Sequence, residues 1–432
     1  LMKRPESFTD SGGQKMHNPQ PICYAQNQSV KAYLASDPWN VESFNRLAEA
    51  ARDKGRVSGL THKYYRYPAR FSPRFVRAAI EQFTSPGDLV FDPFMGGGTT
   101  LVEAIALGRH AIGTDISSLA TFVSKAKTQI FSNSEFKRLE SWASALQEKI
   151  NIHLPSISSQ YYFDAGYHKH LDSSLTWRLR KVLEQVLASA EALPSRKLET
   201  FARCVVLRTG QWALDGRRQI PTISQFREAI IAHANEMIHG ARELRTAVNT
   251  YADYKPKATC LNHSIIGFDT KKVFSGSSPK LVLTSPPYPG VHVLYHRWQV
   301  DGRKESAAPF WIANKLDGSG ASYYTLGARN AKDHWKYFDG LRSALSTVAS
   351  ISSEETTIIQ VVAFSNPSIQ LPRYLEVAEE SGLSEVATPF VSGNEDGRLW
   401  RDIPNRKWHA DQLGDVPASQ EVVLFHRISK QN

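Results

Sequence analysis

The 432-residue sequence predicts an α/β fold, a doubly wound parallel sheet interrupted by a helical insertion, on three observations. A short apolar run, Asp88-Leu89-Val90-Phe91-Asp92, passes through Gly96-Gly97-Gly98 into residues 99–107, whose apolar spacing is helical, and residues 111–115 form a second apolar run. Strand, glycine turn, helix and strand in that order open a doubly wound sheet, whose ligands sit at the carboxyl ends of the strands. The alternation resumes late, with strands expected at 280–284, 356–364 and 421–426 and helices near 337–349 and 372–381. Residues 119–250 between these halves carry helical periodicity alone.

Taken in order, residues 1–37 are rich in Ser, Gln, Asn, Pro and Gly without an apolar period and read as a flexible arm. A short helix is expected over 39–52. Ser72-Pro73 opens another through Phe75, Ala79, Ile80 and Phe83, which Ser85-Pro86-Gly87 closes. In the insertion, Phe136, Leu139, Trp142, Ala143, Leu146 and Ile150 share one helical face. Leu175, Leu179, Val182, Leu183, Val186 and Leu187 share a second, and Phe226, Ile230, Met237, Ile238 and Leu244 a third. The chain therefore divides into an arm (1–37), a first α/β part (38–130), the insertion (131–254) and a second α/β part (255–432).

Composition narrows the partners. Lys and Arg total 52 against 42 Asp and Glu, a net charge of +10, which favours polyanions and makes nucleic acid the first suspect. The excess is concentrated: residues 46–77 hold nine basic and two acidic residues, and residues 169–218 hold ten and five. Clustered cations are what phosphate attraction requires, although solvated helix faces produce similar clusters. Cys23, Cys204 and Cys260 stand apart, so no disulfide framework or CxxC metal knuckle is expected, and the compartment reads as reducing cytoplasm. No run approaches the roughly 20 apolar residues of a membrane span, and the first residues have no leader-like apolar stretch. The chain is expected to be neither exported nor embedded.

The glycine turn lets a nucleoside ligand approach the backbone closely. Asp115 ends the second strand 23 residues after Asp92, near the spacing at which an acidic side chain accepts hydrogen bonds from ribose hydroxyls. No Gly-Lys-Ser/Thr follows the glycines, and the early Asp92 would repel a pyrophosphate while suiting a cation such as S-adenosylmethionine, which carries a sulfonium and an ammonium. A turn using glycine for geometry alone is the plainer reading.

Asp92-Pro93-Phe94-Met95-Gly96-Gly97-Gly98-Thr99-Thr100 resembles the cofactor motif of the S-adenosylmethionine-dependent DNA amino-methyltransferases, the N4-cytosine and N6-adenine enzymes found in restriction-modification systems. The resemblance implies a Rossmann-like methyltransferase domain. It also implies cofactor contacts from Phe91, Asp92, Pro93, Phe94, Gly96, Gly98, Thr99 and Asp115. Pro68-Ala69-Arg70-Phe71 is similar to the family's Pro-Ala-x-Phe element beside the methionine end of the cofactor. Arg70 could pair with the methionine carboxylate and Phe71 pack on the ligand, while a basic phosphate-contacting loop explains the same residues as well. Asn262-His263-Ser264 falls where the family's adenine-contacting strand end lies, which implies Asn262 and Ser264.

Ser285-Pro286-Pro287-Tyr288 follows the apolar run 281–284 directly, so a rigid turn stands at the carboxyl edge of the sheet. An aromatic amino group is a poor nucleophile because its lone pair is delocalised, so fixed acceptors must hold its protons. Ser285 and the Pro286 carbonyl fit that role, with Pro287 stiffening the turn and Tyr288 stacking on a base rotated out of the duplex. The tetrapeptide looks like the catalytic motif of the N4-cytosine enzymes, the N6-adenine enzymes usually having Asp or Asn first. Cytosine C5 chemistry would need a nucleophilic cysteine, and neither Cys204 nor Cys260 has the context. The family implies double-stranded DNA as substrate, methyl transfer without a metal, and a cognate restriction or defence nuclease as a candidate partner. Family members of this motif order commonly carry target recognition just before the catalytic motif, whereas here the insertion precedes Asn262.

His292 and His296 have the spacing of a helical metal pair but lack an accompanying Glu. Tyr295-His296-Arg297-Trp298 and residues 398–409, with Trp400, Arg401, Arg406, Lys407 and Trp408, interleave cations and aromatics as nucleic-acid surfaces do. Buried tryptophans with snorkelling arginines are the alternative. An N6-adenine or RNA amino-methyltransferase, or a non-catalytic subunit that binds cofactor and DNA, remain the rival functions.

Overall fold

The computed structural model describes residues 39–67, 71–155, 160–289, 296–302, 304–318, 324, 326, 334–389, 397–402 and 420–429. The expected arm, 1–37, lies outside them. Ten strands occur among them: β1 Leu89–Asp92, β2 His110–Asp115, β3 Ala258–Asn262, β4 Leu281–Thr284, β5 Trp298–Val300, β6 Lys304–Ser306, β7 Thr357–Ala363, β8 Leu383–Glu385, β9 Leu399–Asp402 and β10 Gln420–Ile428. Eight of these make one sheet in the order β3-β2-β1-β4-β7-β10-β8, with β9 on β10, and β5 pairs with β6 apart from it. Strands β3, β2, β1, β4 and β7 run parallel, and β10 is antiparallel to all three of its neighbours.

The expected strands are present with ends shifted by a residue or two. The hairpin β5–β6, β8 and β9 are missing from the sequence reading, because three or four residues are too few to display a period. The sheet buries both faces, so β4 reads Leu-Val-Leu-Thr, fully buried. Leu281 and Leu283 point to one core with Val90, Ile359 and Phe425, and Val282 points to the other with Phe91, Ile358 and Val362, as the period of two requires.

Helices α1 (Val41–Arg52), α2 (Pro73–Phe83) and α3 (Thr99–Ala106) cover the first face. Asn40 caps α1 by accepting from the Ser43 amide at 2.9 Å, and Pro73 supplies a preset φ where α2 begins. Helix α4 (Ser118–Lys127) follows β2, and then comes the insertion: α5 (Asn133–Lys149), α6 (Trp177–Glu191), α7 (Arg196–Leu214) and α8 (Ile223–Asn249). Capping boxes open α5 (Ser132 with Glu135) and α8 (Thr222 with Gln225). Helices α9 (His334–Ile351) and α10 (Pro367–Glu380) cover the second face. Helix α10 starts at Pro367 rather than Pro372: the earlier proline takes the first helical position, and Pro372 is carried within the helix at the loss of one backbone bond.

The third core joins the insertion to α4 and to residues of the 298–313 stretch, including Trp298, Phe310 and Trp311. The stretch after the Ser285–Tyr288 turn thus packs with the insertion rather than on the sheet. Leu175 is a correction to the second helical row: it precedes α6 and is 63% exposed, while the other five residues of its row are buried. Among the described residues, no helix is long and apolar enough to cross a membrane.

Helix α8 presses on the segment that leads to Tyr67. A Cβ on Gly240 would lie 2.1 Å from the Leu60 carbonyl oxygen, and the Tyr64 hydroxyl donates to the Met237 carbonyl at 2.9 Å. Leu60 is itself left-handed, with φ +45°. Gly240→Ala must therefore displace backbone, and a loss of about 1 to 3 kcal/mol is expected, typical of overpacking. Thermal melts and urea titrations of the variant check this.

Candidate active site

Strand β1 ends at Asp92, and the chain turns through Gly96 (φ +46°) and Gly98 (φ +71°) into α3. Three side chains hold the turn. Asp115, at the end of β2, accepts from the Gly96 amide at 3.0 Å and from the Ser117 amide at 2.8 Å. Ser124 donates to the Gly96 carbonyl at 3.0 Å, and the buried Lys127 ammonium to the Gly97 carbonyl at 2.7 Å. Gly98 has a different task from Gly96: a Cβ there would lie 2.6 Å from Ser124 Oγ, so its smallness lets α3 approach α4.

Asp92 is buried and accepts from the Phe94 amide at 3.1 Å and from the Thr284 hydroxyl at 2.8 Å. The second bond joins the end of β1 to the end of β4, and hence the glycine turn to the Ser285–Tyr288 turn. Burial pushes the Asp92 carboxyl up to about 6, against the hydrogen bonds from Thr284 and the Phe94 amide. Burial does the same to Asp115, also to about 6, against its two amide bonds.

After β4, Ser285 donates to the Tyr288 hydroxyl at 3.1 Å, and Tyr288 donates to Glu421 Oε1 at 2.6 Å. Tyr337 donates to the Pro287 carbonyl at 2.8 Å. Arg401 grips the other oxygen of Glu421 through Nε at 2.9 Å and Nη2 at 2.6 Å.

A cavity of about 470 Å³ is lined from both turns. On the cofactor side it meets Phe71, Asp92, Pro93, Phe94, Gly96, Thr99 and Asp115, with Ser264 from the loop after β3. On the other side it meets Ser285, Pro286, Pro287 and Tyr288. Three expected contacts lie elsewhere. Phe91 faces the core, its ring 5.1 Å from that of Phe274, because its neighbour Asp92 takes the opposite face of the strand. Gly98 is spent on helix packing. Asn262 is exposed and donates to the Asp115 and Ile116 carbonyls at 2.9 and 3.0 Å, bracing β2 from behind. Pro68 and Arg70 lie outside the described residues, as does His292.

Sequence reasoning missed Tyr67, Ile116, His263, Ile265, His296 and Tyr324 in the wall. Ile116 and His263 could have been found from their places beside Asp115 and between Asn262 and Ser264, but nothing local marks the others as wall residues. The His296 ring lies 3.8 Å from Tyr324 and its Nδ1 is 3.3 Å from Ser117 Oγ; burial lowers its pKa to about 4, so it is a neutral aromatic surface at physiological pH. The cavity has the size of a cofactor site, and its donor set fits S-adenosylmethionine. Two carboxyls suit a cationic ligand with a ribose diol, and Phe94, Ile116 and Ile265 offer apolar surface to a flat base.

Many cations of the two clusters are spent internally. Lys54, Lys63, Arg74 and Arg77 pair with Asp402, Glu236, Asp53 and Glu103. Arg180, Lys197, Arg203 and Arg208 pair with acids of the insertion or its flank. Arg178 and Arg217 instead lie over Trp177 and Trp212, at 4.8 and 4.5 Å. Where they are described, the aromatic–basic stretches follow the buried alternative in part: Trp298 is buried and donates to Tyr65 at 3.1 Å, and Arg401 is buried, while Trp400 is half-buried. Arg406, Lys407 and Trp408 lie outside the described residues.

Residues 9–123 match the family of DNA methylases, a span that holds the glycine turn and Asp115. The chain is 43% identical over 82 residues to the type II methyltransferase M.MvaI of Kocuria varians, 18% of each chain. It is 39% identical over 66 residues to the DNA adenine methyltransferase YhdJ of Escherichia coli, 15% of this chain and 22% of that one. These matches span about a fifth of each relative's length. Among solved structures, the rRNA methyltransferase aviRa from Streptomyces viridochromogenes aligns over 72% of this chain and 85% of that one, at 13% identity and a TM-score of 0.31, too slight a likeness to bear on fold or function.

Asp92 and Asp115 titrate near 6 in the ligand-free protein, and only their charged forms attract a cation or accept twice from a diol. S-adenosylmethionine affinity should be full above pH 7 and fall as pH drops through 6, by up to about tenfold per unit for each carboxyl that must be ionised. Calorimetry from pH 5 to 8 checks this, and Asp115→Asn should show weaker binding with a shallower pH dependence.

Proposed function

We propose that this chain is a DNA amino-methyltransferase that methylates the exocyclic N4 of a cytosine rotated out of double-stranded DNA. One observation carries the reading: the glycine turn with Asp115 and the Ser285–Tyr288 turn open into the same cavity, at the carboxyl ends of neighbouring strands. A methyl donor and an acceptor base held at those two turns would meet without crossing a wall.

In this reading Asp115 takes the ribose hydroxyls, and Phe94, Ile116 and Ile265 enclose the adenine. Bound there, S-adenosylmethionine supplies an electrophilic methyl group and a neutral thioether leaving group. Ser285 Oγ and the Pro286 carbonyl would accept hydrogen bonds from the two N–H groups of the target amino group and turn its lone pair toward the donor. As the nitrogen–carbon bond forms the carbon–sulfur bond breaks, and the nitrogen then gives up one proton to solvent. The Tyr288 ring forms a wall on which the base rests, and the neutral His296–Tyr324 pair lines the same cavity without adding charge. Nothing in this scheme calls on a metal. Ser rather than Asp or Asn at the head of the tetrapeptide favours cytosine N4 over adenine N6.

The DNA would reach the cavity across the insertion, where Arg178, Arg217 and the adjoining Arg218 are not drawn into the ion pairs that occupy Arg180, Lys197, Arg203 and Arg208. Stacking of guanidinium on tryptophan leaves the charge available to phosphate.

Incubation with labelled S-adenosylmethionine and mixed-sequence duplex, then digestion to nucleosides and mass analysis, should yield N4-methylcytosine. N6-methyladenine would move the activity to the sister reaction, and no incorporation would end the enzymatic reading. Replacing Arg217 and Arg218 by Ala should flatten the dependence of log affinity on log salt by about 0.9 for each phosphate that is no longer neutralised. An unchanged slope in filter binding would assign the DNA path elsewhere.

A further inference from the structure

Strand β10 runs against the parallel strands, so it begins at the edge where β4 and β7 end. Its second residue, Glu421, stands there opposite Ala363 of β7 on one side and Arg401 of β9 on the other. Glu421 and Arg401 are both buried, and the Arg401 guanidinium also lies 5.4 Å over the Phe75 ring. A buried ion pair is held at this place at a desolvation cost that apolar residues would avoid, and it is aimed at the catalytic turn.

We propose that Arg401 and Glu421 are positioning residues that fix the direction of the hydrogen bonds through Tyr288 and so make the Ser285 oxygen an obligate acceptor; this rests on the methyl-transfer reading above. A guanidinium has donors only, and Arg401 commits both of its bonds to Glu421 Oε2. Oε1 accepts, so Tyr288 donates to it at 2.6 Å. The phenol has one proton, and its oxygen can only accept from Ser285, at 3.1 Å. The serine proton is thereby turned away from the cavity, and the lone pairs of Oγ are what a target amino group meets.

A hydroxyl is otherwise free to rotate and to present its proton, which would repel an N–H donor. Asp has no such ambiguity. Ser at the head of the tetrapeptide acquires the same acceptor-only character through its neighbours. Burial and the adjacent Glu421 raise the Tyr288 phenol well above its ordinary range, so it keeps the proton that the relay needs.

Single-turnover methylation tests the relay with Tyr288→Phe, Glu421→Gln and the double variant, alongside cofactor and DNA affinities and thermal melts. Tyr288→Phe keeps the ring and removes only the hydroxyl, so it reports even where Glu421→Gln, which strands Arg401, fails to fold. The expected result for Tyr288→Phe is a fall of roughly tenfold to a hundredfold in the transfer rate, the scale of a slightly misaligned reacting group, with both affinities within about twofold of wild type. Where the double variant folds, it should be no slower than Tyr288→Phe, because the two changes break one chain. Tyr288→Phe at the wild-type rate, or losses that multiply in the double variant, overturns the relay while leaving the functional reading in place. A wild-type protein that methylates no base overturns both.

Discussion

The Thr284 hydroxyl bonded to the buried Asp92 carboxyl is the contact on which the site depends. It crosses from the last residue of β4 to the last residue of β1, so two turns almost two hundred residues apart in sequence share one anchor. Backbone pairing of β1 with β4 sets their register only as far as Phe91 and Val282, and the side-chain bond extends the alignment to the edge where the turns begin. The same carboxyl also receives the Phe94 amide, which fixes the entrance to the glycine turn. Asp92 thus serves as a joint between two halves of a site, and its charge faces a cavity suited to a cation.

The elements that frame the site were largely legible in sequence. Strands β1, β2, β4, β7 and β10 announced themselves because strands buried on both faces of a sheet are apolar runs bounded by turn residues. The glycine turn was legible as a unit, but its members were not interchangeable: Gly96 faces the cavity while Gly98 yields to Ser124, a distinction that depends on a residue 26 positions away. Phe91 and Asp92 are neighbours in one motif, yet alternation along the strand sends one to the core and the other to the cavity. Tyr67, His296 and Tyr324 were illegible as wall residues because nothing local distinguishes an aromatic side chain that lines a cavity from one that fills a core.

The cations show the same limit in electrostatic form. A charge count over residues 46–77 or 169–218 records an excess, but Arg203 reaches acids on the turns before and beside it, and Lys63 and Arg208 share Glu236 from opposite sides. Such pairs neutralise in space what the sequence shows as a run. A buried network of the same kind, His62 bonded to Glu103 at 2.6 Å with Arg77 on its other oxygen at 2.8 Å, ties the segment leading to Tyr67 onto α3. That segment forms part of the wall, so some of the basic character of this region serves as scaffolding.

The core shared by the insertion and the 298–313 stretch bears on how such a protein could diversify. Trp298 and Trp311 are buried with α5–α8, the β5–β6 hairpin is tied to the loop after α7 through Gly216 and Asp215, and Arg203 holds the Ile312 carbonyl at 2.9 Å. A recombination event that exchanged residues 131–254 alone would strip those tryptophans of their packing, and one that exchanged 298–313 alone would leave a hollow in the insertion. The two pieces can be inherited or swapped productively only together, although the Ser285–Tyr288 turn separates them in the gene. Lineages of this architecture should therefore vary that joint unit by substitution at its surface, and not by shuffling either piece as a cassette.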